Sequence, residues 1–126
     1  MRLSLFTALL VFVIGCSGSE PWARTELYFG MDRADSTVIS EREWAQFVAQ
    51  QITNRFPDGL TVVNAQGQWR SRITNEIVLE PSRIVIFYYP PSPATEASID
   101  SIRTIYRSLF HQEAVLKVTS RAGVSF

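Results

Sequence analysis

What most narrows the fold of this chain is the order in which its hydrophobic period changes. From Ala23 to Gly30 the side chains alternate, Thr25, Leu27 and Phe29 against Arg24, Glu26 and Tyr28, which is the period of a half-buried strand. Ser40-Glu41-Arg42-Glu43 then reads as a capping box flanked by Ile39 and Trp44 as a hydrophobic staple. Trp44, Phe47, Val48 and Ile52 share one helical stripe, so the spacing predicts a helix to about Arg55, stopped by Pro57-Asp58-Gly59. Leu60 to Asn64 is extended and is expected to continue, through a bulge or turn at Gln66-Gly67, into Gln68-Trp69-Arg70. Beyond a polar loop from Ser71 to Asn75 lie two extended pieces, Glu76 to Leu79 and Arg83 to Tyr89, with Pro81 setting a kink or an edge between them. The second piece, Ile84-Val85-Ile86-Phe87-Tyr88-Tyr89, reads as a central strand. Pro90-Pro91-Ser92-Pro93 opens a second helix carrying Ile99, Ile102, Tyr106, Leu109 and Phe110 at helical spacing, and Val115 to Thr119 supplies a last strand.

Strand, helix, strand, strand, helix, strand is the order of the ferredoxin-like split βαβ arrangement. The expected fold is therefore α+β, an antiparallel sheet with both helices on one face. The other face is left open and is expected to serve as a dimer interface, a ligand floor or both.

The first sixteen residues belong to a different physical problem. Met1-Arg2 precedes an apolar run from Leu3 to Ile14, and Gly15-Cys16 follows, which is the layout of an export leader. The run is shorter than the ~20 apolar residues that span a bilayer. Val13-Ile14-Gly15-Cys16 resembles the bacterial lipobox, whose cysteine is lipidated before cleavage. Cys16 is the sole cysteine, so no disulfide can form and the lone thiol has an assigned use. The expectation is a signal peptide over 1–15, a lipidated cysteine and tether over 16–22, and one α+β domain over 23–126. Two or more acyl chains anchor stably at ~0.8 kcal/mol per buried CH₂. The tether Ser17-Gly18-Ser19-Glu20-Pro21 reaches only about 20 Å even when extended. The domain is expected to work in the cell envelope close to its membrane. Ser17 after the cysteine resembles outer-membrane sorting, which places the domain on the periplasmic side of the outer membrane if the source has two membranes.

Removing 15 of the 126 residues leaves 111, enough for one core. Twelve basic and twelve acidic residues cancel, so no basic field is available for nucleic acid. Eleven of the basic residues are arginine and only Lys117 is lysine, a bias that suits planar recognition of carboxylate or phosphate and equally follows from genomic base composition.

The segments Arg24-Thr25-Glu26-Leu27-Tyr28-Phe29-Gly30, Phe56-Pro57-Asp58-Gly59-Leu60-Thr61-Val62, Gly67-Gln68-Trp69-Arg70 and Gln112-Glu113-Ala114-Val115-Leu116 resemble the recurring blocks of the bacterial family named domain of unknown function 3574. The resemblance runs from about Trp22 to Val118. It implies a small envelope protein and carries over no catalytic or ligand residue.

Arg24, Glu26 and Tyr28 fall on the open face, and Arg70, after Trp69, lies on a neighbouring segment that brings it toward them. Such a set grips a small anionic ligand by bidentate bonds beside an aromatic wall; it is equally an ordinary exposed Arg–Glu pair along a sheet. His111, the sole histidine, stands where the second helix ends and reads as a cation at the helix dipole's negative end or, with Glu26, as a weak candidate base. No serine stands in a nucleophile motif. No ligand spacing for zinc or calcium and no phosphate loop is present, so neither metal nor cofactor is expected. Tyr88-Tyr89 reads as core packing or a partner contact. The leading expectation is a non-enzymatic, membrane-anchored envelope lipoprotein domain that binds a partner protein or a small anionic ligand, as a homodimer through the open face. The alternatives are a cofactor-free small-molecule enzyme that uses that face as its cavity, with Glu26 or His111 as base and Arg24 or Arg70 as anion holder, and a structural accessory subunit.

Overall fold

A computed structural model describes residues 21–126; Cys16, the leader and most of the tether lie outside the described residues. The elements are β1 (Trp22–Gly30), α1 (Glu41–Phe47), which runs on as a π-helical segment (Val48–Thr53), β2 (Thr61–Arg70), β3 (Ile77–Tyr89), α2 (Pro93–Phe110) and β4 (Leu116–Ala122). The sheet order is β2-β3-β1-β4, and every neighbouring pair is antiparallel. This is the split βαβ arrangement expected from the order of elements.

One side of the sheet meets the helices. Ala23, Thr25, Leu27 and Phe29 of β1 and Val85, Phe87 and Tyr89 of β3 are buried there. Trp44, Phe47 and Ile52 come down from α1 and its continuation, and Ile99, Ile102, Tyr106 and Phe110 from α2. Phe29 sits among aromatic rings, with centroids of Trp44 at 5.3 Å, Phe47 at 5.9 Å and Tyr106 at 4.7 Å, all edge-to-face, the arrangement that opposes positive ring edges to negative faces. Leu109, expected on the α2 stripe, is exposed, because Ile99, Ile102, Tyr106 and Phe110 already fill the face that a 3.6-residue repeat can bury.

The capping box is formed as the sequence requires. Ser40 Oγ accepts from the Glu43 amide at 3.3 Å, and Glu43 Oε2 accepts from the Ser40 amide at 2.9 Å. Those bonds, with Arg33 beside them, hold the Glu43 carboxyl below its ordinary range. Ser40→Ala is expected to destabilise the domain by about 1 kcal/mol, read as a lower urea midpoint at unchanged slope.

Three further sequence expectations need correction. The first helix is not regular to Arg55: from Val48 it takes i→i+5 bonding, which turns Phe47 and Ile52, five residues apart, toward one core. β2 passes through Gln66-Gly67 without a bulge, paired residue for residue with β3. β3 runs as one strand rather than two pieces, and the expected edge is present at Pro81. The Pro81 carbonyl accepts from the Met31 amide at 2.9 Å, so the side lacking an N–H faces the chain leaving β1, whose ladder stops at Gly30 opposite Ser82.

Because β1 stops there, the β2–β3 hairpin continues alone as a two-stranded arm from Gln66–Pro81 to Arg70–Ile77. Its large apolar side chains Trp69, Ile73, Ile77 and Leu79 are exposed.

Candidate functional site

Alternation along β1 sends Trp22, Arg24, Glu26 and Tyr28 to the open face. The two ladders then fix their neighbours. Arg24 lies between Tyr88 and Ser120, Glu26 between Ile86 and Val118, and Tyr28 between Ile84 and Leu116. A polar row thus runs down the middle strand, fenced by mostly apolar side chains on β3 and β4.

The row is bonded end to end. Arg24 Nε donates to the Tyr88 hydroxyl at 3.0 Å, the Arg24 guanidinium pairs with Glu26, and the Tyr28 hydroxyl donates to Glu26 Oε2 at 2.5 Å. Glu26, with a side chain 13% exposed, receives both an arginine and a phenol. The hydrogen bond to Glu26, helped by burial, raises the Tyr28 phenol above its ordinary value, and the bond to Tyr88 raises Arg24. Chemically the row is self-neutralised: the arginine that the sequence offered as an anion holder already has its carboxylate.

Past Tyr88 the open face ends in a cleft of about 610 Å³ lined by Trp22, Ile86, Tyr88, the turn from Asp58 to Thr61 and the segment Gly123 to Phe126. The Trp22 and Phe126 rings meet edge-to-face at 5.7 Å. The turn is shaped by Gly59, whose φ of 140° is open to glycine and strained for other residues. Its volume falls within the range of small-ligand sites, ~300–1,000 Å³.

The structure brings Arg24, Glu26 and Tyr28 together and leaves the other expected site residues elsewhere. Trp69 and Arg70 stand on the arm. Arg70 pairs with Ile77 while Arg24 pairs with Tyr88 at the other end of β3, roughly 35 Å away at 3.3 Å per residue. Arg70 Nη1 donates instead to the Asn75 carbonyl at 2.8 Å, closing the hairpin. His111 caps α2 in the left-handed conformation (φ 54°) with its amide on the Arg107 carbonyl and its side chain exposed in the helix layer, on the opposite side of the sheet from Glu26. Its neighbour Gln112 turns inward, donating to the Asp32 carbonyl at 2.6 Å. Sequence reasoning passed over Trp22, Asp58 and Phe126. Asp58 carried a signal only as part of a helix stop, and nothing in the local pattern places Phe126 beside Trp22.

The family of proteins of unknown function designated DUF3574 matches residues 24–126, which takes in the row and the cleft except for Trp22. The chain belongs to the DUF3574 family. No curated protein matches this DUF3574 chain. Among solved structures it is similar to a phage SAM lyase in complex with S-methyl-5'-thioadenosine, at 16% identity and a TM-score of 0.63 over 82% of this chain and 84% of that one. It is also similar to a phage SAM lyase in the apo state, at 16% identity and a TM-score of 0.60 over 90% and 87%. At this identity the DUF3574 domain shares with them a fold.

Proposed function

We propose that this protein is a membrane-held binding domain of the cell envelope, anchored through Cys16 and working through the open face of its sheet as a small-ligand site. The observation that supports the binding role is the joining of a bonded polar row, fenced by apolar side chains, to an aromatic-walled cleft on the face that neither described helix covers. Orientation by a few fixed polar groups beside apolar walls is how small-molecule sites are commonly built. A second reading, a cofactor-free enzyme on the same face, draws support from the fold shared with phage SAM lyase, and fold likeness is an analogy. Of its catalytic candidates Glu26 alone stands on that face.

The test uses the lipidated full chain in nanodiscs, screened by ligand-observed NMR against small metabolites that include S-adenosylmethionine and S-methyl-5'-thioadenosine. Ile86→Lys, which plants a charge where the row meets the cleft, is the control. Ligands that bind the native chain and not this variant support the reading; binding unaffected by the variant, or none at all, overturns it. Pairing of two copies through the open face would cover the row, and light scattering on the same two proteins reads it.

The anchor has its own test. Cys16→Ala is expected to abolish incorporation of labelled palmitate and to move the protein out of the membrane fraction. Membrane fractionation unchanged by the substitution would remove the lipid from the proposal.

A further inference from the structure

We infer that the cleft at the end of the open face selects a ligand that carries a planar aromatic ring and a positive charge together. This rests on the reading of that face as a ligand site and adds the chemistry of what enters it. Three aromatic side chains, Trp22, Tyr88 and Phe126, line one cavity, and Trp22 and Phe126 stand edge-to-face, so ring surface is presented from more than one direction. Aromatic faces carry negative potential and attract a cation within about 6 Å, tryptophan most strongly. The side-chain carboxylate in the lining is Asp58, exposed on the turn that forms one wall. The arginine bonded to Tyr88 does not reverse that sign. Arg24 is hydrogen-bonded to the Tyr88 hydroxyl, but its guanidinium is matched by Glu26, itself only 13% exposed. Among the side chains of the described lining, a ligand in the cleft therefore meets Asp58 as the charge without an ion-pair partner, against a cation whose field is met by its own carboxylate. An anionic ligand faces Asp58 and aromatic ring faces; a cationic one is favoured by both. The ring of the ligand gains the apolar contact of Ile86 and the stacking partners, and the charge gains the aromatic faces and Asp58.

Three probes of nearly equal shape isolate the charge: tryptamine, 3-methylindole and indole-3-acetate, which are cationic, neutral and anionic at pH 7. Each is titrated into the full chain in nanodiscs, with empty nanodiscs as the blank, and binding is followed by the methyl resonances of Ile86 and Val124, both in the cleft lining. Tryptamine is expected to bind about tenfold more tightly than 3-methylindole, with indole-3-acetate the weakest. Asp58→Asn, a change on an exposed turn that asparagine tolerates, is expected to shrink the advantage of tryptamine several-fold while leaving 3-methylindole unchanged. Tyr88→Leu is expected to weaken all three. Cleft methyl shifts with equal affinities, or with indole-3-acetate the tightest, overturn the inference and leave the ligand site standing. An advantage of tryptamine that survives intact in Asp58→Asn also overturns the assignment of charge selection to this carboxylate. Methyl resonances that move with none of the probes overturn the inference and count against the site as well.

Discussion

Tyr106→Ala is expected to cost about 3–5 kcal/mol, the range for removing a large buried aromatic ring, and to leave the domain close to its unfolding threshold in water, since small domains hold only about 5–15 kcal/mol in total. The reason is position. Tyr106 has no exposed surface, and its ring lies 4.7 Å from Phe29, 5.0 Å from Phe47 and 4.8 Å from Phe110, so one side chain joins both helices to β1. Its hydroxyl also donates to the Gly30 carbonyl at 2.7 Å, where β1 ends and its backbone acceptor has no further strand partner. Burial pushes the phenol far above its ordinary value, so that proton stays in place through the alkaline range. Tyr106→Phe separates the two contributions. It keeps the ring, leaves the Gly30 carbonyl without its donor, and is expected to cost about 1–2 kcal/mol. Urea unfolding of both variants checks the ratio; equal losses would place the stability in the hydrogen bond rather than in the packed ring.

Phe56→Ala is expected to cost about 3 kcal/mol and, unlike Tyr106→Ala, to reach the cleft. Phe56 follows the π-helical segment and lays its ring against Phe87 at 4.7 Å and Tyr89 at 5.6 Å, beneath the sheet. Its amide donates to Ile52 at 3.0 Å and its carbonyl accepts from Gly59 at 3.4 Å, so the turn bearing Asp58 hangs from this residue. Freed of that ring, the turn has no buried side chain to fix the wall it forms. Urea unfolding reads the first effect. The second is read by titrating tryptamine under conditions where the variant remains folded, with a loss of at least several-fold expected. Unchanged affinity would mean that the wall is held from the strand side, through Leu60 and Thr61.

The contrast between these residues explains what the sequence made legible. Phe29 and Tyr106 belong to regular periods, two in β1 and 3.6 in α2, and period alone puts each on its buried face. The same rule sends Arg24, Glu26 and Tyr28 to one open face, and the ladder then makes them neighbours. Register is a different quantity. That Tyr88 stands opposite Arg24, and Arg70 at the far end of β3, depends on where the β2–β3 hairpin turns and on how far β3 runs past β1, and neither is written in a local window. Two extended pieces on either side of Pro81 leave the distance from Arg70 to the row open. The continuous strand carries Arg70 away. The cleft was less legible still, because it is assembled from β1, the turn after the π-helical segment, β3 and the last residues, contacts of long sequence separation that no spacing rule encodes. The π-helical segment itself leaves no mark in the pattern, since Trp44, Phe47, Val48 and Ile52 fit one regular helical stripe.

The hairpin arm has a consequence for how this molecule breathes. Beyond the Met31–Pro81 hydrogen bond the two strands pair only with each other in the sheet, and no third described strand joins their ladder. Their amides can lose protection by the ribbon parting from its tip while the four-stranded part stays closed. Hydrogen exchange in such a segment follows a local opening free energy and not that of the whole domain. Two units of cooperativity are therefore expected in hydrogen exchange, a slow one centred on β1 and a fast one that starts where β1 leaves off.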